Sequence, residues 1–252
     1  MGLFDRRTAD KLSSRTKLLL AADPGPALLE AARQYDPAVR EWHGRLVFRN
    51  GVLLFGPVEI TPKLEQQAGL PAGTAVAWYT GSALQPTKEE RSHDSKVDDG
   101  DNLVRGLAER LGGTAQYAGP DPTPALLASV YSQQALAVQQ VIDVLRPFAG
   151  DLKAEDEDEI SYGLTGKSAP FYVAYFGPRI YQERDAPPAV GSIRPGPLHH
   201  WDLNTGVNAK RAARKLSLTV GEAALALAGQ SGGVALDMLG FPLTRPEDLL
   251  PR

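Results

Sequence analysis

Apolar and polar positions along the chain alternate with two periods, 3.6 and 2, and these mark most of the expected elements. Residues 27–35 (ALLEAARQY) put Leu28, Leu29 and Ala32 on one helical side, and Pro24 and Pro26 stand where a helix start tolerates proline. Two strand-like runs follow, residues 45–49 and 52–55, separated by Asn50-Gly51. That pair predicts a tight hairpin in which both turn residues take positive φ. Residues 74–80 read as a strand, and the polar residues 81–100 as a surface loop. Asp98, Asp99 and Asp101 then precede an amphipathic helix over residues 102–111, suiting the positive end of its dipole. Gly112-Gly113 ends that helix before a short strand at 114–117.

Residues 119–124 (GPDPTP) disfavour both helix and central strand and predict a linker. Beyond it come a strand at 128–131, a helix at 137–145 stopped by Pro147, and an acidic stretch at 151–159. Residues 171–176 (FYVAYF) form the clearest strand, rich in aromatic and β-branched side chains. A Pro/Gly-rich loop spans 177–197, a helix 216–228, a second stop falls at Gly232-Gly233, and a closing strand covers 234–239.

The two halves are alike. Each ends in helix, Gly-Gly and strand, and each has a tryptophan, Trp78 or Trp201, at a comparable distance before that helix. The expected fold is therefore α+β: two tandem ferredoxin-like halves of β-α-β-β-α-β order with antiparallel sheets, over residues 1–119 and 125–252.

The chain has 252 residues and a net charge of −3. That length suits one large domain or two of ordinary size, and the charge gives no global case for nucleic acid. There are no cysteines, so disulfides and thiolate metal sites are excluded. The charged N-terminus lacks a signal-peptide core and no stretch has the length of a membrane span, so a cytoplasmic location without a membrane partner is expected. Arg outnumbers Lys 18 to 9, a composition typical of a high-GC bacterial gene.

Candidate chemistry is sparse. Gly166-Lys167-Ser168 has the tail of a phosphate loop, but Ser161 replaces the required glycine and a β-type run follows, so a hairpin turn explains it better. His199-His200-Trp201-Asp202 is the most chemical-looking cluster, able to ligate metal or act as a base with its carboxylate. Adjacent strand residues point to opposite faces, however, so His199 and His200 do not easily serve one site. Glu183 and Asp185 are further members if the cluster is an enzyme site. His93, Asp94, Asp98, Asp99 and Asp101 superficially resemble a calcium loop, without its glycine and terminal glutamate at the required offsets. Lys210, Arg211, Arg214 and Lys215 form a basic run suited to phosphate or to the acidic stretch. Neither the Gly-x-Ser-x-Gly elbow nor a strand followed by Gly-x-Gly-x-x-Gly is present.

Residues 101–113, 128–132, 138–147 and 220–242 resemble segments of uncharacterised actinobacterial proteins. The resemblance covers about the C-terminal two thirds, rests on structural motifs, and implies a bacterial cytoplasmic setting but no activity. The expectation is a non-enzymatic binding protein with a protein partner and no cofactor. Two alternatives stand beside it: a small-molecule or metal-dependent enzyme around His199, His200 and Asp202, and a phosphate or nucleic-acid binder using Lys210, Arg211 and Arg214.

Overall fold

A computed structural model describes residues 3–82, 95–118, 126–155, 160–181, 186–193, 196–205 and 213–250. The chain divides into two compact units, Met1–Pro122 and Thr123–Arg252. Each is α+β and holds a six-stranded sheet in which every neighbouring pair is antiparallel.

Unit 1 runs α1 (Leu3–Ser14), β1 (Lys17–Leu20), α2 (Pro26–Tyr35), β2 (Arg40–Glu41), β3 (Arg45–Val47), β4 (Val52–Glu59), α3 (Pro62–Ala68), β5 (Val76–Ser82), α4 (Ser95–Leu111) and β6 (Thr114–Gln116). Its strand order is β2-β3-β4-β5-β1-β6. Helix α4 packs on β1 and on α2. On one sheet face Leu19, Ala77 and Tyr79 meet Ala9 and Leu12 of α1 together with Leu64 and Ala68 of α3, forming a separate apolar cluster. Thr61 caps α3 by accepting the Leu64 amide, and Gly69 ends it in the left-handed region.

Unit 2 runs β7 (Leu126–Ser132), α5 (Val138–Ala149), β8 (Lys153–Glu155), β9 (Ser161–Thr165), β10 (Tyr172–Arg179), a short 3-10 helix (Pro188–Ile193), β11 (Leu198–Asn204), α6 (Arg214–Ser231), β12 (Val234–Asp237) and a second 3-10 turn (Pro246–Leu249). Its order is β12-β7-β11-β10-β9-β8. Val141 and Leu145 of α5, and Val220, Ala224 and Leu227 of α6, share a buried core with Trp201 and Leu203. A smaller cluster joins Tyr131, Leu198 and Leu236 to Ala189 and Val190 of the first 3-10 helix.

The two units share one topology: strand, helix, four strands, helix, strand, with an insert between the third and fourth of the four. Register aligns them residue by residue. Thr114 and Val234 each follow a Gly-Gly pair, and their partners across the sheet are Leu19 and Tyr131. Those pair in turn with Ala77 and His200. The next residues are Trp78 and Trp201, so the two tryptophans occupy corresponding places. The tripeptide Phe-Gly-Pro also recurs in β4 and β10, where both ladders shift register and both Gly-Pro bonds are cis. Gly56 is required by packing: a Cβ there would lie 2.7 Å from the Trp78 ring.

Several expectations need correction. Among the described residues four strands, not two, lie between the flanking helices; the extra ones include strands of two and three residues, too short to show a period. Asp98, Asp99 and Asp101 fall inside α4, so the calcium-loop pattern lies partly on a helix, while His93 and Asp94 lie outside the described residues. Pro147 sits within the last turn of α5, which continues to Ala149 and is closed by the Gly150 amide on the Arg146 carbonyl. In the Asn50-Gly51 turn only Gly51 has positive φ. The Gly51 amide bonds the Phe48 carbonyl and the Val52 carbonyl accepts from Phe48, a three-residue loop with a glycine bulge. The buried Asp36 holds that loop, accepting the Arg49 amide at 2.6 Å. Residues 177–197 hold the end of β10 and the 3-10 helix as well as loop. The linker at 119–124 lies outside the described residues. No helix among the described residues is long and apolar enough to cross a membrane.

Candidate functional site

Strand alternation separates the two adjacent histidines. His199 shares the face of Trp201: its ring lies along Tyr175 and Trp201, and its Nδ1 is 2.6 Å from the Tyr175 hydroxyl. Burial lowers its pKa below the ordinary histidine value and raises that of Tyr175. His200 and Asp202, two residues apart, share the opposite face. There His200 Nε2 is 2.6 Å from Asp202 Oδ1, and the Ser129 hydroxyl donates to the same oxygen at 2.7 Å. Asp202 Oδ2 has no partner among the described residues.

The second imidazole nitrogen, Nδ1, lies 3.3 Å from the Tyr181 hydroxyl. In the neutral ring that satisfies all these contacts, Nε2–H donates to the carboxylate and Nδ1 accepts from Tyr181. Tyr131 stacks on the imidazole with centroids 4.2 Å apart, and Phe176 flanks it at 5.6 Å. Burial drives the Tyr131 phenol far above its ordinary pKa, with Tyr181 and Asp202 adding to the effect. Burial also raises Tyr181, against the opposing pull of Arg179. Tyr131, Ser129 and Tyr181 therefore act as neutral hydrogen-bonding groups at physiological pH.

Chemically, this network fixes an imidazole. The ring is held on both nitrogens and along its Tyr131 face, so it cannot offer a free lone pair without first losing a partner. Ser129 bonds the carboxylate and not the histidine, so the three do not form a nucleophilic triad. No group of three metal-ligating side chains occurs among the described residues.

The remaining predicted residues do not join this site. Arg214 is the first residue of α6 and is exposed, as is Lys215. Lys210, Arg211, Glu183 and Asp185 lie outside the described residues. Gly166-Lys167-Ser168 sits in the turn joining β9 to β10, where the Ala169 amide bonds the Gly166 carbonyl. Ser129, Tyr131 and Phe176 read from the sequence only as strand positions, and Tyr181 as a core or interface aromatic. Ser129 is 73 residues from Asp202 and meets it only because β7 pairs with β11.

Comparison with family models, with curated proteins and with solved structures returned no match to this chain.

Proposed function

We propose that this is a non-enzymatic binding protein of a bacterial cytoplasmic system, and that it engages a protein partner through the His200–Asp202 face of the unit 2 sheet. Both units are taken as ferredoxin-like β-α-β frames, each widened by two extra strands in its central meander. One observation carries the functional reading. At corresponding positions unit 1 has Ala77 and Tyr79, 0% and 9% exposed beneath α1 and α3. Unit 2 has His200 and Asp202, with side chains 14% and 23% exposed and locked in hydrogen bonds. One copy of the frame uses this face to close its interior. The other keeps a fixed polar and aromatic arrangement there, with Tyr172 of β10 40% exposed beside it. Prearranged groups on a strand face suit recognition, because little ordering is left to do on binding.

The test is retention from a lysate of the native cell by the immobilised full chain and by a Tyr172→Glu/Asp202→Lys variant with an unchanged thermal midpoint. The reading expects a component held by the wild type and lost from the variant. Identical retention by both would overturn it.

A further inference from the structure

The chain contains its own example of what covers this face, and the inference below rests on the binding reading just given. In unit 1 the covering elements are α1 and α3, and Ala9 and Leu12 of α1 pack with Leu19, Ala77 and Tyr79. Cations at the end of α1 approach Tyr79: Lys11 Nζ and Arg15 Cζ each lie 5.9 Å from the ring centroid. Tyr79 pairs with Lys17 as Asp202 pairs with Ser129, and the two pairs correspond in register. The place where unit 1 receives cations through an aromatic ring is thus held in unit 2 by a carboxylate, one oxygen of which has no partner among the described residues. Beside it, Tyr172, Ala174 and Phe176 share one side of β10 and form a partly exposed apolar strip. The Arg179 guanidinium already lies 5.3 Å from the Phe176 ring, which leaves Asp202 as the seat for an incoming cation.

We propose that the far face of the unit 2 sheet docks a basic amphipathic helix of a protein partner across β10 and β11, on the face that α1 and α3 cover in unit 1. A Lys or Arg of that helix meets Asp202 Oδ2, and its aliphatic side chains cover Tyr172, Ala174 and Phe176. Apolar contact supplies most of the affinity, and the charge pair fixes orientation and excludes acidic helices.

The probe is a stapled helical peptide of this chain's residues 3–17, titrated into the labelled full chain and followed by NMR. Saturable shifts at Tyr172, His200 and Asp202 are expected. Asp202→Lys should weaken binding about tenfold, and a peptide carrying Lys11→Glu and Arg15→Glu should recover it on that variant. Equal affinity for wild type and Asp202→Lys, or shifts that never saturate, would overturn the proposal. If the glutamate peptide instead bound the wild-type face more tightly, the basic helix would fall and the binding reading would stand. If neither peptide bound and lysate retention ignored the face substitutions, both would fall.

Discussion

Unit 1 and unit 2 build the same strand order, keep a tryptophan and a Gly-Gly joint in corresponding places, and differ most on the sheet face away from their paired helices. In unit 1 an N-terminal helix and a helical insert lie on that face. In unit 2 the insert is a short 3-10 helix, and serine, histidine and aspartate stand on neighbouring strands beside it. The frame tolerates either outcome because its ladders and its other core are intact in both. Topology sets where a site can form, and the side chains of one face decide whether it does.

The corresponding tryptophans offer the largest test of that comparison. Trp201 is fully buried and its indole donates to Tyr162, whereas the buried Trp78 indole nitrogen has no partner among the described residues. Trp201→Ala should cost unit 2 about 4 kcal/mol in urea unfolding. Trp78→Phe should be milder than Trp201→Phe, since only the latter deletes a hydrogen bond. The reverse order would break the correspondence of roles.

Leu12→Ala should cost unit 1 about 3 kcal/mol, because Leu12 is completely buried between α1 and the sheet. A loss no larger than at an exposed position would show that the face is not sealed. Gly113→Ala and Gly233→Ala should each cost about 2 kcal/mol. A Cβ at Gly113 would come 2.7 Å from the Leu19 carbonyl, and one at Gly233 would run into the Tyr131 carbonyl and lie 2.9 Å from Ser132 Cβ. Unequal costs would show that the two Gly-Gly joints are not equivalent.

Lys17 sharpens the comparison through pH. It is 2% exposed, among the described residues its ammonium bonds the Arg15 carbonyl alone, and burial holds its pKa below the ordinary 10.5. Between the folded value and 10.5 the unfolded chain binds more protons, so unit 1 should gain stability as pH rises through that window. Lys17→Met should remove this slope and stabilise unit 1 near neutrality by about 1 kcal/mol. A slope that persists in the variant would assign it to another group. The smallest effect belongs to the open face: Asp202→Asn should change the stability of unit 2 by no more than about 1 kcal/mol. A much larger loss would make this network part of the core.

Strong local signals in the sequence corresponded to elements. The aromatic run at β10, the Asn-Gly hairpin and both helix–Gly-Gly–strand joints were legible because each rests on neighbouring residues. Helix α1 was not, since its charges obscure the few apolar positions that face the sheet, and α3 and β8 are too short to set a period. At the candidate site, alternation along one strand already separated His199 from His200. Tyr131, Ser129 and Tyr181 reach His200 and Asp202 only through pairing and loop return, which no local pattern encodes.

The residues after β12 turn back along it. Asp237 accepts the Leu239 and Phe241 amides on one carboxylate oxygen, and Leu236 bridges to Pro242. The Leu243 amide reaches the Ala235 carbonyl, and the Asp237 amide reaches the carbonyl of Phe241. The outer rim of this sheet is thereby occupied by the chain's own backbone. A foreign strand finds the Ala235 carbonyl and the Asp237 amide already bonded at that border, so growth into fibres by strand addition is opposed there by a single turn.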